Sequence, residues 1–336
     1  MRYWVINLRK EEPLMKKILS MDGGAVRAII QGQVLVEIET RTKKPICRLF
    51  DLIAGSSSGG NLAMGLVTPG KNGKPKYPAA EATISYKLNT PKIFSRSFFQ
   101  KLNPLRDLFE EKYSIEVAAD VYKNYYGWAK LSEALTPVII TAYEIEKRMA
   151  YLFHSGNAKQ NPNYDFYMKD VVLSTTAAPT FFEPAKIQNI PKTDTFYFID
   201  GAVFANNPAL AALIEAKILY PKEADFLVVS LGSGFHTEPL PYNQVKNWGV
   251  AQWARPILDV VFDGVADTVD HQLTHLLKKG ADNKVRYYRF QTMVSKETLV
   301  FDKTTPDNFK ALENLGQKLV QDNDKELDVL CGQLLS

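Results

Sequence analysis

Three serines between two glycines, Gly55-Ser56-Ser57-Ser58-Gly59, follow the apolar residues Leu49, Phe50, Leu52, Ile53 and Ala54 and precede a run of small residues with helical character. A strand, a tight turn and a helix in that order lift the central hydroxyl clear of the backbone and aim it at a carbonyl, so Ser57 reads as a nucleophile. Glycine on both flanks suits a turn residue in strained φ/ψ space. By itself the pattern decides little, because a Gly-x-Ser-x-Gly match arises by chance in roughly one in ten chains of this length. The plain alternative is a serine-rich loop after a buried strand.

Two other segments supply what a nucleophile needs. Upstream, an apolar strand over 17–21 runs into Asp22-Gly23-Gly24-Ala25-Val26-Arg27, a glycine-rich turn that opens a helix. Free N–H groups at such a turn, together with the helix dipole, hold negative charge as a tetrahedral oxyanion requires. No Gly-Lys-Ser/Thr follows and no Gly-x-Gly-x-x-Gly is present, which disfavours a nucleotide phosphate. Downstream, Asp200 ends a short apolar strand over 196–199 and is followed by Gly201-Ala202 and Asn206-Asn207-Pro208. In an open parallel sheet the carboxyl ends of strands line one crevice, so Ser57 and Asp200 can meet across a long sequence separation. The bland reading of Asp200 is a turn former or helix cap.

Taken together, Asp22-Gly23-Gly24-x-x-Arg27, Gly55-x-Ser57-x-Gly59 and Asp200-Gly201-Ala202 resemble, in order and setting, the patatin-like phospholipases and the catalytic domain of cytosolic phospholipase A2. Ser174-Thr175-Thr176-Ala177-Ala178-Pro179, Asn206-Asn207-Pro208 and Ser230-Leu231-Gly232-Ser233-Gly234 add to the resemblance, which spans about 16–290. It implies a Ser-Asp dyad with Ser57 as nucleophile and Asp200 as general base. The amides around Gly23, Gly24 and Ala25 would form the oxyanion hole, and Arg27 would brace that turn or lie near the anionic end of the substrate. It implies no catalytic histidine. The implied reaction is cleavage of glycerophospholipid acyl esters through an acyl-enzyme. An ordinary aspartate, with a pKa of about 3.9, is a weak base near neutral pH, so geometry and exclusion of water must contribute more than basicity. The chain departs from the family pattern at Ala25 and Ala28, where glycine is usual. If Ala25 must adopt φ > 0, its methyl costs on the order of 1 kcal/mol.

The elements that must position these groups alternate. Strands are expected over 17–21, 49–54, 138–143, 149–153, 196–199, 226–230 and 285–291, with helices over 58–67 and 166–176, an amphipathic stretch over 250–277 and a last helix over 306–321. This βαβ rhythm predicts an α/β fold, a three-layer α/β/α arrangement around a mainly parallel sheet. Residues 1–14 read as a flexible extension, 15–336 as one catalytic domain, and 86–135 as a helical insertion. Within that insertion, aromatics and basic residues interleave over 94–109, which suits either a lid touching a bilayer or an ordinary core helix.

With 336 residues, 46% hydrophobic and 23% charged, the chain is long enough for a large core. Its net charge of +4 is too mild for a dedicated nucleic-acid binder and is compatible with an anionic membrane surface. Cys47 and Cys331 stand far apart without metal-ligand spacing, and His271 and His275 lack a His-Glu-x-x-His context, so neither a disulfide framework, a metal nor a cofactor is expected. A Ser, Asp, His order closing on His236 or His271 is a formal alternative to the dyad. No run of eighteen apolar residues and no signal-peptide core occur, so the expected place is the cytoplasm, with peripheral membrane contact and signal-independent export both open. The expected partner is a phospholipid or other acyl ester, met at a transient membrane surface. A binding protein of weak or no turnover on the same scaffold is the competing class.

Overall fold

The computed structural model describes residues 15–95, 112–235, 239–253, 256–280, 282–295, 298 and 300–336. Eight strands form one sheet: β1 (Lys16–Met21), β2 (Leu52–Gly55), β3 (Val138–Glu144), β4 (Met149–His154), β5 (Ala185–Gln188), β6 (Thr195–Asp200), β7 (Phe226–Leu231) and β8 (Tyr287–Phe290). Among the described residues, the helices of eight residues or more are α1 (Ala28–Thr42), α2 (Ser57–Val67), α3 (Ala79–Ile93), α4 (Ile115–Tyr126), α5 (Met168–Thr175), α6 (Ala209–Leu219), α7 (Pro256–Leu276), α8 (Pro306–Asp322) and α9 (Asp324–Leu335).

Along each central strand the side chains alternate between two cores, the period-two pattern of a sheet covered on both faces. Leu19, Ile53, Ile140 and Val229 enter the larger core with α1, α2, α5 and α8, whereas Ile18, Leu52, Ile139 and Val228 pack under α6 and Leu273 of α7. The result is an α/β/α three-layer fold.

The strand order is β5-β6-β3-β2-β1-β7-β8, with β4 on β3. β3-β2-β1-β7-β8 is parallel, while β4, β5 and β6 are joined antiparallel. β4 pairs with Ile139 to Glu144, so β2 and β6 share the opposite edge of β3: β2 takes Val138 to Ile140, and β6 takes Ala142 to Glu144. Running toward each other, they end at Gly55 opposite Ile140 and Asp200 opposite Ala142, with only Thr141 between the two registers. The expectation that Asp200 ends a strand holds, but that strand is antiparallel to its neighbour. The two carboxyl ends meet head-on rather than side by side.

Four other differences from the sequence reading have local causes. Leu49 and Phe50 are buried at a 3-10 turn ahead of β2 rather than in it. α3 begins at Ala79, so the boundary at 86 falls inside a helix. β5 was not foreseen, because only Ala185 and Ile187 face inward while Lys186 and Gln188 are exposed. α9 adds a helix beyond 321 and buries Leu327, Leu330, Cys331 and Leu334. Residues 1–14 and most of 94–109 lie outside the described residues.

Candidate active site

Ser57 is the first residue of α2 and has φ +52°, in the left-handed region that costs a side chain on the order of 1–2 kcal/mol. The surroundings over-determine it. Its N–H donates to Thr175 Oγ1 at 2.9 Å, Ser56 N–H donates to the Met21 carbonyl at 3.2 Å, and Gly60 N–H donates to the Ser56 carbonyl at 3.1 Å. The flanking glycines are required by close approach: a Cβ at Gly55 would lie 2.5 Å from the Gly59 carbonyl oxygen, and one at Gly59 would lie 2.4 Å from that of Met21. The turn is therefore pressed between its own helix and β1.

From the other side, Asp200 brings its carboxylate to the same point. Ser57 Oγ–H donates to Asp200 Oδ2 at 2.6 Å, and Ala202 N–H donates to Oδ1 at 2.8 Å. The turn can pass this close only because residue 201 is glycine, since a Cβ there would sit 2.1 Å from Thr141 Oγ1 in the gap between the two registers. Asp200 is 1% exposed, and no cation among the described residues pairs with it. Burial pushes its pKa from 3.8 up to about 7, against the opposing pull of the Ser57 hydroxyl and the Ala202 amide. Burial thus moves this group away from the ordinary aspartate of the sequence reading and into the neutral range.

The glycine turn after β1 is held by its carbonyls. Gln31 Nε2 donates to the Asp22 carbonyl at 2.8 Å, Ser233 Oγ–H to that of Gly23 at 2.6 Å, and Tyr86 Oη–H to that of Ala25 at 2.8 Å. Arg27 N–H donates to the Gly24 carbonyl at 3.0 Å, with its Nε 3.5 Å from the same oxygen. The buried Arg27 guanidinium stacks over Phe301 at 4.4 Å. Asp22 is clamped by a bidentate pair with Arg289, at 2.9 and 2.6 Å.

The three turn amides differ in use. Gly23 N–H donates to the Asn206 carbonyl at 3.0 Å and Gly24 N–H to Ser58 Oγ at 3.0 Å, while no acceptor among the described residues takes that of Ala25. The Gly23 amide is thereby engaged, although the residue itself lies against Ser57, where a Cβ would sit 3.0 Å from Ser57 Cβ; Gly24 and Ala25 line the same cavity as Ser57. Ala25 has φ +46°, so the left-handed backbone that glycine would favour is borne here by an alanine.

Ser57, Gly24, Ala25 and Asp200 line one cavity of about 350 Å³ whose walls include Tyr86, Phe94, Tyr122, Phe182, Phe262 and Phe301. Among its lining residues, Lys112 and Asp302 pair with each other, and Asp259 adds a carboxylate beside Leu258. Phe94, the first residue of the segment read as lid or core, lies in this wall and packs against Tyr113 at 5.2 Å.

No histidine lines the cavity among the described residues. His154 Nδ1, at the end of β4, caps the short helix Ser155–Gln160 by accepting from Gly156 N–H at 2.9 Å; His271 and His275 are exposed on α7, and His236 lies outside the described residues. No group of three potential metal ligands occurs among the described residues. Sequence reasoning assigned no role to Thr175, Tyr86, Ser233 or Arg289. For Thr175 the signal was its place in the Ser174-Thr175-Thr176-Ala177-Ala178-Pro179 run at the end of α5, whereas Arg289 gave none.

The patatin-like phospholipase profile matches residues 19–213, more than half of the chain. The chain belongs to the patatin-like phospholipase family. Patatin-like protein 4 of Arabidopsis thaliana is 31% identical across 91% of this chain and 83% of its own length. Patatin-like protein 1 of Oryza sativa subsp. indica is 30% identical across 94% and 84%. The potato (Solanum tuberosum) protein named probable inactive patatin-3-Kuras 1 is 27% identical across 91% and 87%. Lipid hydrolysis is the activity of the patatin-like phospholipase family.

Proposed function

We propose that this patatin-like protein is an acyl hydrolase of glycerophospholipids that works through Ser57, Asp200 and the amides of Gly24 and Ala25. The observation that carries the reading is the 2.6 Å bond from Ser57 Oγ–H to an aspartate with a pKa of about 7, at the wall of an aromatic-lined cavity. Asp200 takes the hydroxyl proton as Oγ bonds to the ester carbonyl carbon. The carbonyl electrons move to the oxygen, which accepts from Gly24 and Ala25 near the N-terminal, positive end of α2. Collapse breaks the bond to the lysolipid alkoxide, which leaves with the proton held by Asp200. Water then adds to the acyl-enzyme with Asp200 again as base, releasing the fatty acid and restoring Ser57.

For the donor role, the Gly24 amide must exchange Ser58 Oγ for the oxyanion, a swap of one acceptor for a stronger one. The aromatic wall supplies the apolar contact that an acyl chain needs.

The test is incubation with mixed phospholipid vesicles and mass spectrometry of the products. Wild type is expected to release fatty acid and lysolipid, and Ser57→Ala to release neither above background. Release by Ser57→Ala at the wild-type rate would overturn the reading.

A further inference from the structure

Between Glu238 and Asp259 the sequence has no further carboxylate and two cations, Lys246 and Arg255, and holds two of the four tryptophans, Trp248 and Trp253. Its apolar side chains are turned outward: Val250 is 90% exposed, Tyr242 76%, Leu240 42% and Ile257 43%. The rings of Trp248 and Trp253 meet edge to face at 5.3 Å and tie the stretch together ahead of α7.

This surface is continuous with the cavity. At 100° per residue, Ile257 and Val260 fall on the exposed side of α7, and Leu258 and Phe262, on the adjoining side, line the cavity. Phe262 packs edge-on against Phe301, whose exposed neighbour Val300 also lines the cavity. One apolar stripe therefore runs from open solvent to the pocket that holds Ser57.

Exposed apolar side chains and aromatic rings with polar edges, with the exposed Lys246 among them, together fit the boundary of a bilayer. Tyrosine and tryptophan settle at headgroup depth, apolar side chains enter the acyl boundary, and cations are drawn to anionic lipid. The surface opens onto a cavity read as taking an acyl chain, so a lipid is the occupant that both features share.

We propose that the surface formed by Leu240, Tyr242, Trp248, Val250, Trp253 and Ile257 seats the protein on an anionic bilayer, with the cavity mouth against the lipid. A phospholipid then passes along α7 to Ser57 without crossing water. The purpose of this docking rests on the acyl-hydrolase reading; its test does not, because binding needs no turnover.

The test is flotation of the full chain with phosphatidylcholine vesicles, with and without phosphatidylglycerol, for wild type, Tyr242→Ser and Val250→Glu. Wild type is expected to float with the mixed vesicles and less so as salt rises. Each variant should lower the bound fraction on the order of tenfold while cleaving a short soluble ester at the wild-type rate. Failure of wild type to float, or equal flotation of all three proteins, would overturn the proposal. So would loss of soluble-ester cleavage in both variants, which would assign these side chains to the fold. Wild-type dimers that both variants dissolve, without vesicle binding, would show that a second copy covers the surface and would overturn it as well. A wild type that floats but cleaves nothing would reject the hydrolase reading and leave the docking surface standing.

Discussion

Replacing Asp200 by asparagine should stabilise the protein, and by an amount that grows with pH. An unfolded aspartate loses its proton near 3.8, the folded one near 7, and burial is the main cause of the difference. The folded state therefore binds the extra proton between these values, so stability falls as pH rises through this window and levels off above it. At 1.36 kcal/mol per pH unit, ionisation costs the fold about 2 kcal/mol at pH 5 and about 4 kcal/mol at pH 8. Asparagine has the same shape and no charge, and it can accept from Ala202 N–H and donate to Ser57 Oγ, the two atoms Asp200 now engages. Its advantage over wild type should grow by about 2–3 kcal/mol from pH 5 to pH 8. With an unfolding entropy of about 2.1 cal/mol/K per residue, roughly 0.7 kcal/mol/K for this chain, that is about 3–4 °C in Tm. Thermal unfolding of both proteins at the two pH values measures it. A Tm difference that is the same at both, or that shrinks toward pH 8, would refute the claim that Asp200 is held ionisable against burial.

Two further substitutions test the glycine turn. Ala25→Gly should stabilise the fold by up to about 1 kcal/mol by relieving the left-handed strain at φ +46°; denaturant unfolding that shows a loss instead would mean that the methyl packs usefully. Arg289→Met leaves Asp22 buried without its bidentate partner and should cost about 3–5 kcal/mol. Adding Asp22→Asn should recover much of that loss, and a double variant no more stable than the single one would show that the pair is not the source.

The residues of the candidate site were more legible than the architecture that brings them together. Ser57, Asp200 and the Asp22–Ala25 turn stand out because each combines a reactive or amide-rich element with residues that force a turn. Sequence does not carry strand direction, however, so the head-on meeting of β2 and β6 on one edge of β3 had no local signature. The basicity of Asp200 was hidden for the same reason, since its burial comes from layers distant in sequence. Arg289, fixing the turn from β8, belongs to this class. α9 is different, because Leu327, Leu330, Cys331 and Leu334 recur at i, i+3, i+4 and i+7 and mark a helix by periodicity alone. The commitment of the Gly23 amide to Asn206 is a hydrogen bond between distant loops, beyond any pattern in one sequence.

The central claim is that Asp200 activates Ser57, and the most direct measurement is the rate at which a fluorophosphonate labels the protein across pH, with the adduct located by peptide mass spectrometry. The expected adduct is on Ser57, at a rate that rises with pH through about 7 as Asp200 ionises and falls by roughly 100-fold or more in Asp200→Asn. An unlabelled Ser57, or labelling as fast in Asp200→Asn as in wild type, would contradict the account.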